Sequence, residues 1–273
     1  MSISSAQFDY VRDLVRRKAA IVLEDSKQYL VETRLDALAR TEGDSTVDAL
    51  IERLQTRPFS GIEAKVIDAL TTNETSFFRD LHPFEALRTH VIPELIQQKS
   101  ATRRLNIWCA ASSSGQEPYT IAMVLREHFP ELASWNVNFV ATDISNEMLA
   151  RAEEGCFTQF EVNRGLPARL MTKYFSRIGT QWRVNEEIRR LVSFRKLNLI
   201  EPWTSLPKMD LIFLRNVLIY FDTSVKTQII RAARRQLEPH GFLFLGSTET
   251  MISIDEDFER VMYGRSACYR PGT

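Results

Sequence analysis

From Ser4 to about Leu70 apolar residues recur at helical spacing: Phe8, Val11, Leu14 and Val15 form one stripe, and Val47, Leu50, Ile51 and Leu54 another. Punctuation agrees with this period. Gly43 follows the helix carrying Tyr29, Leu30 and Leu38, as a C-terminal glycine should, and Ser45 and Ser60 stand where N-caps belong. Residues 1–70 are therefore expected to form an all-α domain of about four helices. A linker and the first helix of the next unit are expected over 71–103. After roughly Arg104 the pattern changes, because short apolar runs alternate with amphipathic helices. The strand runs are Leu105 to Ala110, Val137 to Thr142, Phe194 to Leu199, Leu211 to Leu214 and Phe242 to Leu245. Ile121, Ala122, Leu125 and Phe129, and later Ile229, Ile230, Ala233 and Leu237, mark helices between them. Runs apolar on both faces suit a parallel sheet covered by helices.

Near the C-terminus Phe258 to Met262 and Ala267 to Tyr269 flank Tyr263-Gly264-Arg265, a tight hairpin. An antiparallel pair closing a parallel sheet separates a methyltransferase sheet from a dinucleotide-binding one. A second hairpin is expected from Gln181 to Val184 paired with Leu191 to Phe194, inserted before the third strand.

Charge and cysteine content narrow the function. Lys+Arg and Asp+Glu both number 35, so no global basic field draws the chain to nucleic acid or an anionic membrane. Cys109, Cys156 and Cys268 lie far apart without Cys-x-x-Cys pairs or histidines at metal-ligand spacing, which fits a reducing cytoplasm and no structural zinc. No signal-peptide pattern is visible, and no apolar run approaches the roughly 18 to 20 residues that span a bilayer. A soluble, cytoplasmic protein without direct membrane insertion is expected.

In an open α/β sheet ligands bind beyond the carboxyl ends of the strands. After the first strand comes Ala110-Ala111-Ser112-Ser113-Ser114-Gly115-Gln116-Glu117-Pro118-Tyr119, where small side chains let a ligand approach the backbone. G-x-G-x-x-G is absent, and Glu117 would place a negative charge beside a pyrophosphate. S-adenosylmethionine has no phosphate and presents an ammonium and a sulfonium. The bland alternative is an ordinary small-residue turn. The second strand ends Thr142-Asp143-Ile144, and an acid there accepts hydrogen bonds from ribose hydroxyls or merely completes a turn. Asn198 with Leu199 after the third strand suits the edge and face of an adenine. The fourth strand leads into Arg215-Asn216-Val217-Leu218-Ile219-Tyr220-Phe221-Asp222, which lacks the Asn/Asp-Pro-Pro-aromatic tetrad of base-methylating enzymes. Between the domains, Thr71 and Glu74 have capping-box spacing and Phe77 and Phe78 read as core, which leaves Arg79 without a structural purpose.

These segments together resemble the CheR-type chemoreceptor glutamate methyltransferases across essentially the whole chain. The specific stretches are Thr72-Asn73-Glu74-Thr75-Ser76-Phe77-Phe78-Arg79, Ser114 to Thr120, Thr142-Asp143-Ile144 and Arg215 to Asp222. The resemblance implies a class I S-adenosylmethionine-dependent methyltransferase sheet, mostly parallel with its last strand antiparallel. It also implies an all-α N-terminal domain for receptor recognition, a catalytic domain over 104–273, and a small β-hairpin subdomain at about 177–196. Implied cofactor-site residues are Asn73, Thr75, Arg79, Glu117, Asp143, Asn198, Leu199, Arg215 and Asn216, with Arg79 and Tyr220 facing the transferred methyl group. S-adenosylhomocysteine would be the product, and no metal would be needed.

The implied partner is the cytoplasmic helical bundle of chemoreceptors, met by a basic helix face to which Lys27, Arg34 and Arg40 correspond. Asp36 and Ala37 make that face less basic than in some relatives. Family members that grip a receptor C-terminal pentapeptide carry a longer glycine-containing hairpin loop than Ile178-Gly179-Thr180, so no tether is expected here. A regulatory protein docking on either domain stays open. So do two other classes: a non-catalytic adaptor that senses S-adenosylmethionine, and a nucleic-acid methyltransferase, which neutral charge and the missing tetrad disfavour.

Overall fold

The computed structural model describes residues 3–56, 61–251 and 254–272. Its helical domain contains α1 (Ser5–Ala19), α2 (Gln28–Glu42), α3 (Val47–Thr56) and α4 (Ile62–Leu70). Ser4 starts α1 with a reciprocal capping box to Gln7. Phe8, Val11, Leu14 and Val15 share one core with Val31 and Leu35 of α2 and Leu50, Ile51 and Leu54 of α3. Gly43 ends α2 at φ +79, the conformation that its position predicted. Tyr29 does not join the buried stripe of α2 and is 78% exposed. The cap of α3 lies one residue beyond Ser45, because the Thr46 hydroxyl accepts from the Ala49 amide at 3.1 Å. Ser60 lies outside the described residues, and Gly61 occupies the N-cap position of α4.

Arg34, half-buried, makes hydrogen bonds within the helical domain. Its Nη1 donates to the carbonyls of Ala69, Leu70 and Thr71 at 3.4, 3.1 and 2.8 Å, closing the C-terminal end of α4. Cations at helix C-termini satisfy orphan carbonyls and oppose the negative end of the helix dipole. Lys27 and Arg40 stay exposed, Arg40 pairing with Asp36 at 2.6 Å. Chemical denaturation should therefore show Arg34→Ala destabilised by about 1 to 3 kcal/mol. Lys27→Ala and Arg40→Ala should stay within about 0.5 kcal/mol of the parent. Equal stability of all three variants would remove the capping role.

The second domain opens with α5 (His82–Ala86), which runs through a π-helical turn at Leu87–Val91 into α6 (Ile92–Lys99). Then follow β1 (Arg104–Ala110), α7 (Gln116–His128), β2 (Asn136–Asp143), α8 (Asn146–Glu154), β3 (Cys156–Thr158), α9 (Gln159–Asn163) and α10 (Ala168–Tyr174). β4 (Phe175–Ile178), β5 (Gln181–Val184), α11 (Glu186–Arg189), β6 (Ser193–Lys196), β7 (Met209–Leu214), α12 (Thr223–Gln236), β8 (Leu237–Leu245), β9 (Phe258–Tyr263) and β10 (Ser266–Pro271) complete it.

The main sheet has the order β6-β2-β1-β7-β8-β10-β9. Its first five strands pair in parallel, and β10 runs antiparallel to both β8 and β9. This is the mostly parallel sheet with an antiparallel edge that the pattern predicted. Side chains alternate between two cores: Ile107 and Cys109 of β1 pack with α6 and α7, whereas Trp108 and Ala110 pack with α12. β7 and the carboxyl-terminal halves of β1 and β2 are buried on both faces, whereas the first residues of β1 and β2 alternate polar with apolar and β6 is largely exposed. The chain winds outward in both directions from the β1–β7 pair, leaving a crevice at their carboxyl ends.

The inserted subdomain differs from the expected hairpin. β5 pairs with β4 on one side and β3 on the other, joined to β4 by the turn Gly179-Thr180. Leu191 to Phe194 does not pair with it, since Ser193 to Lys196 is a strand of the main sheet beside β2. That edge strand stops where β2 stops, so Leu197 to Leu199, expected as strand, turns away over the crevice. Thr71 and Glu74 form no capping box either, because Thr71 ends α4 and residues 72–76 run as an extended linker.

Candidate active site

The crevice holds about 870 Å³ of empty space, part of it open to solvent. Asn73, Thr75, Arg79, Glu117, Asp143, Asn198, Leu199, Arg215, Asn216 and Tyr220 all line it. Residues separated by more than half the chain thus meet around the ends of β1, β2, β6 and β7.

The loop after β1 is tight. Ala111 and Ser113 take φ +51 and +48, and Gly115 takes φ +96 with its α-carbon face against α8. A Cβ at Gly115 would lie 3.0 Å from the Ala152 Cβ, so glycine is required by both conformation and space. Asp143, 6% exposed, braces this loop: its Oδ2 accepts from the Ser113 amide at 2.8 Å and its Oδ1 from the Ser145 amide at 2.9 Å. Burial raises the Asp143 carboxyl above the usual aspartate range, and the hydrogen bonds from Ser145 and Ser113 oppose that shift. The Ile144 amide also faces this carboxylate, which retains acceptor capacity for a ligand hydroxyl. The Ser112 Oγ, on the same wall, is buried without a hydrogen-bond partner.

Arg215 occupies the floor with a fully buried side chain. It donates to Glu117, to Asp80 at 2.7 Å and to the Arg79 carbonyl at 3.0 Å, and lies 5.5 Å from the Phe84 ring centroid. A buried guanidinium needs such compensation, and two carboxylates supply it. Glu117 also accepts from the Cys109 thiol at 3.3 Å. Burial first, and the Glu117 charge second, push that thiol well above its ordinary value, so Cys109 is no thiolate nucleophile.

The Arg79 segment is held in unusual backbone geometry. Phe78, Asp80 and Leu81 have φ of +50, +66 and +46. The Phe78 amide donates to the Thr120 hydroxyl at 3.2 Å, and Asp80 is clamped by Arg215. Gly165 seats against this turn so closely that a Cβ would come within 2.1 Å of the Phe77 carbonyl oxygen. Such over-determined strain is typical of functional loops. Arg79 Nη1 donates to the Glu74 carbonyl at 2.9 Å, and Arg164 and Arg79 together hold the Glu74 carboxyl below its ordinary range. Across the opening, burial raises the Tyr220 phenol, while the Arg79 cation and the Thr72 hydroxyl pull it down.

Other expected contacts are more indirect. Asn73 contributes its carbonyl, which accepts from the Ser113 hydroxyl at 2.9 Å. The Asn198 amide donates to the Lys18 carbonyl at 2.7 Å, so this side chain, which also lines the crevice, joins α1 to the catalytic domain. Ala19 and Ile21 line the crevice as well, which gives the helical domain a share in the site that sequence reasoning had missed. Asp80 and Glu249 were missed too; Glu249 accepts from the amides of Gly246, Asn216 and Leu218. An acid three residues beyond the glycine that follows β8 is the available signal for the latter. No cluster of potential metal ligands occurs among the described residues.

Sheet order and crevice define a methyltransferase-type α/β domain joined to a helical one. The comparisons agree: residues 6–71 match the CheR methyltransferase all-alpha domain, and residues 73–266 match the CheR methyltransferase SAM binding domain. The chain is 40% identical to Chemotaxis protein methyltransferase 1 of Pseudomonas aeruginosa over 99% of each chain. It is 38% identical to Chemotaxis protein methyltransferase Cher2 of Pseudomonas putida, again over 99% of each. With Chemotaxis protein methyltransferase 1 of Vibrio cholerae it shares 37% identity, over 99% of this chain and 98% of the relative. The protein belongs to the CheR methyltransferase family. No helix among the described residues is long and apolar enough to cross a membrane.

Proposed function

We propose that the protein methylates glutamate side-chain carboxylates of chemoreceptors, producing glutamate methyl esters. The observation that carries this reading is the placement of Arg79 and Tyr220 at the mouth of the crevice whose inner wall holds Asp143. The names of the relatives support the receptor as substrate.

The residues present suit S-adenosylmethionine: Asp143 offers acceptor sites for ribose hydroxyls, the unpartnered Ser112 hydroxyl faces the same wall, and Glu117 offers an anion for an ammonium group. When bound, that compound supplies the methyl group and leaves as S-adenosylhomocysteine. All other demands fall on the chain. A glutamate side chain has a reference pKa of about 4.3 and arrives ionised at neutral pH, so no general base is required. Arg79 spends one donor on the Glu74 carbonyl, and the rest of its fork orients the incoming carboxylate. Tyr220, its phenol kept protonated by burial, donates from the facing wall. Orientation and exclusion of water are then the main sources of rate.

The test is incubation with methyl-labelled S-adenosylmethionine and a receptor cytoplasmic fragment. Base-labile label on receptor glutamates is expected. Binding of the labelled compound without transfer would favour a sensor, and label on nucleic acid would overturn the substrate class. The hairpin adds a further expectation. With the two-residue turn Gly179-Thr180 and a four-residue edge strand in β4, it offers little for an added peptide strand to pair with. An isolated receptor C-terminal pentapeptide should not bind at micromolar concentration; saturable binding lost on altering Gly179 to Val184 would refute this.

A further inference from the structure

We infer that Glu249 is a positioning residue for methyl transfer, acting through the turn that carries Tyr220; this rests on the role proposed for Tyr220. The chain leaves β7 through Arg215 and enters a loop whose first residue, Asn216, stands at φ +57. Asparagine takes this left-handed conformation more readily than other residues with a side chain, so the turn is formed without marked strain and its direction is set by what fastens it. Glu249 holds it. Its Oε2 accepts from the Asn216 amide at 2.8 Å and the Gly246 amide at 2.7 Å, and its Oε1 accepts from the Leu218 amide at 2.7 Å.

These three amides belong to two loops, one after β7 and one after β8, so a single carboxylate fastens them together. The packing is tight enough that a Cβ on Gly246 would lie 2.6 Å from the Asn216 amide nitrogen of the side chain and 2.7 Å from the Glu249 Oε2. Leu218 begins the short 3-10 turn Leu218–Tyr220. Downstream, the Tyr220 carbonyl accepts from the Val22 amide at 3.0 Å, and Asp222 caps α12 by accepting from Val225. The turn is thus anchored beyond Tyr220 by the helical domain and α12, and before it by Glu249. Removing the carboxylate frees the upstream end, and with it the direction in which the phenol points.

A merely structural carboxylate would slow every variant equally. A positioning one would matter only while Tyr220 has a hydroxyl to place. Single-turnover methylation of a receptor fragment is therefore measured for the parent, Glu249→Ala, Tyr220→Phe and the double variant. Glu249→Ala is expected to lose roughly tenfold or more in the parent background and less than about threefold in the Tyr220→Phe background. Glu249→Gln keeps one acceptor oxygen for these amides and should fall between parent and Glu249→Ala. If Glu249→Ala fails to fold, the same comparison is made with Glu249→Gln. Equal losses in the two backgrounds, or no loss in either, would overturn the inference. A Tyr220→Phe enzyme with the normal rate would instead remove the role assigned to Tyr220, and this inference with it.

Discussion

Asp143→Ala should bind S-adenosylhomocysteine at least tenfold more weakly than the parent when both are titrated by calorimetry. A hydrogen bond to a charged group contributes about 1.5 to 3 kcal/mol, and tenfold corresponds to about 1.4 kcal/mol. The structure adds a second route to the same loss. Asp143 also fixes the left-handed Ser113 and the start of α8 through the Ser113 and Ser145 amides, so alanine loosens the loop after β1 as well as removing the anion. Asp143→Asn separates the two effects. It preserves the shape and one acceptor oxygen but turns an NH2 group toward one of the two amides. The asparagine variant leaves one buried amide unpaired, which should cost about 1 to 3 kcal/mol of folding stability, and weakens binding through the lost charge. Unchanged affinity in a folded Asp143→Ala protein would refute the assignment of this wall to the ribose.

Much of this architecture could be read before any coordinates, and the failures have physical causes. Strand existence was legible because β7 and the carboxyl-terminal halves of β1 and β2 are buried on both faces and their runs are largely apolar. The end of the third strand was not, since the apolar Leu197 and Leu199 carry the pattern past a strand, Ser193 to Lys196, that is itself mostly polar and exposed, and pairing stops with β2 at Asp143. The inserted sheet was misread for a similar reason: β3 has three residues, too few to show a period of two, and its partner lies far along the chain. The crevice-lining residues that follow strands were legible by position. Asp80 and Glu249 act on other protein groups through the buried Arg215 and through backbone amides, and no local pattern announces such contacts. Arg34 is a further case. The resemblance placed it on a docking face, and its hydrogen bonds to the carbonyls at the end of α4 are a contact that no sequence pattern announced.

Arg79→Ala should lower single-turnover methylation of receptor by roughly a hundredfold, and Tyr220→Phe by roughly tenfold, with cofactor and receptor saturating. The ranking follows from geometry and charge. Arg79 brings a full cation and several donors to the mouth of the crevice, whereas Tyr220→Phe removes one neutral hydroxyl and keeps the ring. Neither change should unfold the protein, because Arg79 makes one side-chain hydrogen bond, to the Glu74 carbonyl, and the strained turn around it is fastened separately by Arg215 and Gly165. If both groups hold the same substrate carboxylate, the double variant should be slowed less than the product of the single losses. The pH profile supplies an independent check. Burial raises the Tyr220 phenol above its ordinary value of about 10, so it stays protonated and able to donate through neutral and mildly alkaline pH. The rate should accordingly stay flat from about pH 7 to about pH 9. A fall across that interval that vanishes in Tyr220→Phe would mean that the phenol ionises early and acts as something other than a donor. Normal rates in both single variants would place the chemistry elsewhere in the crevice.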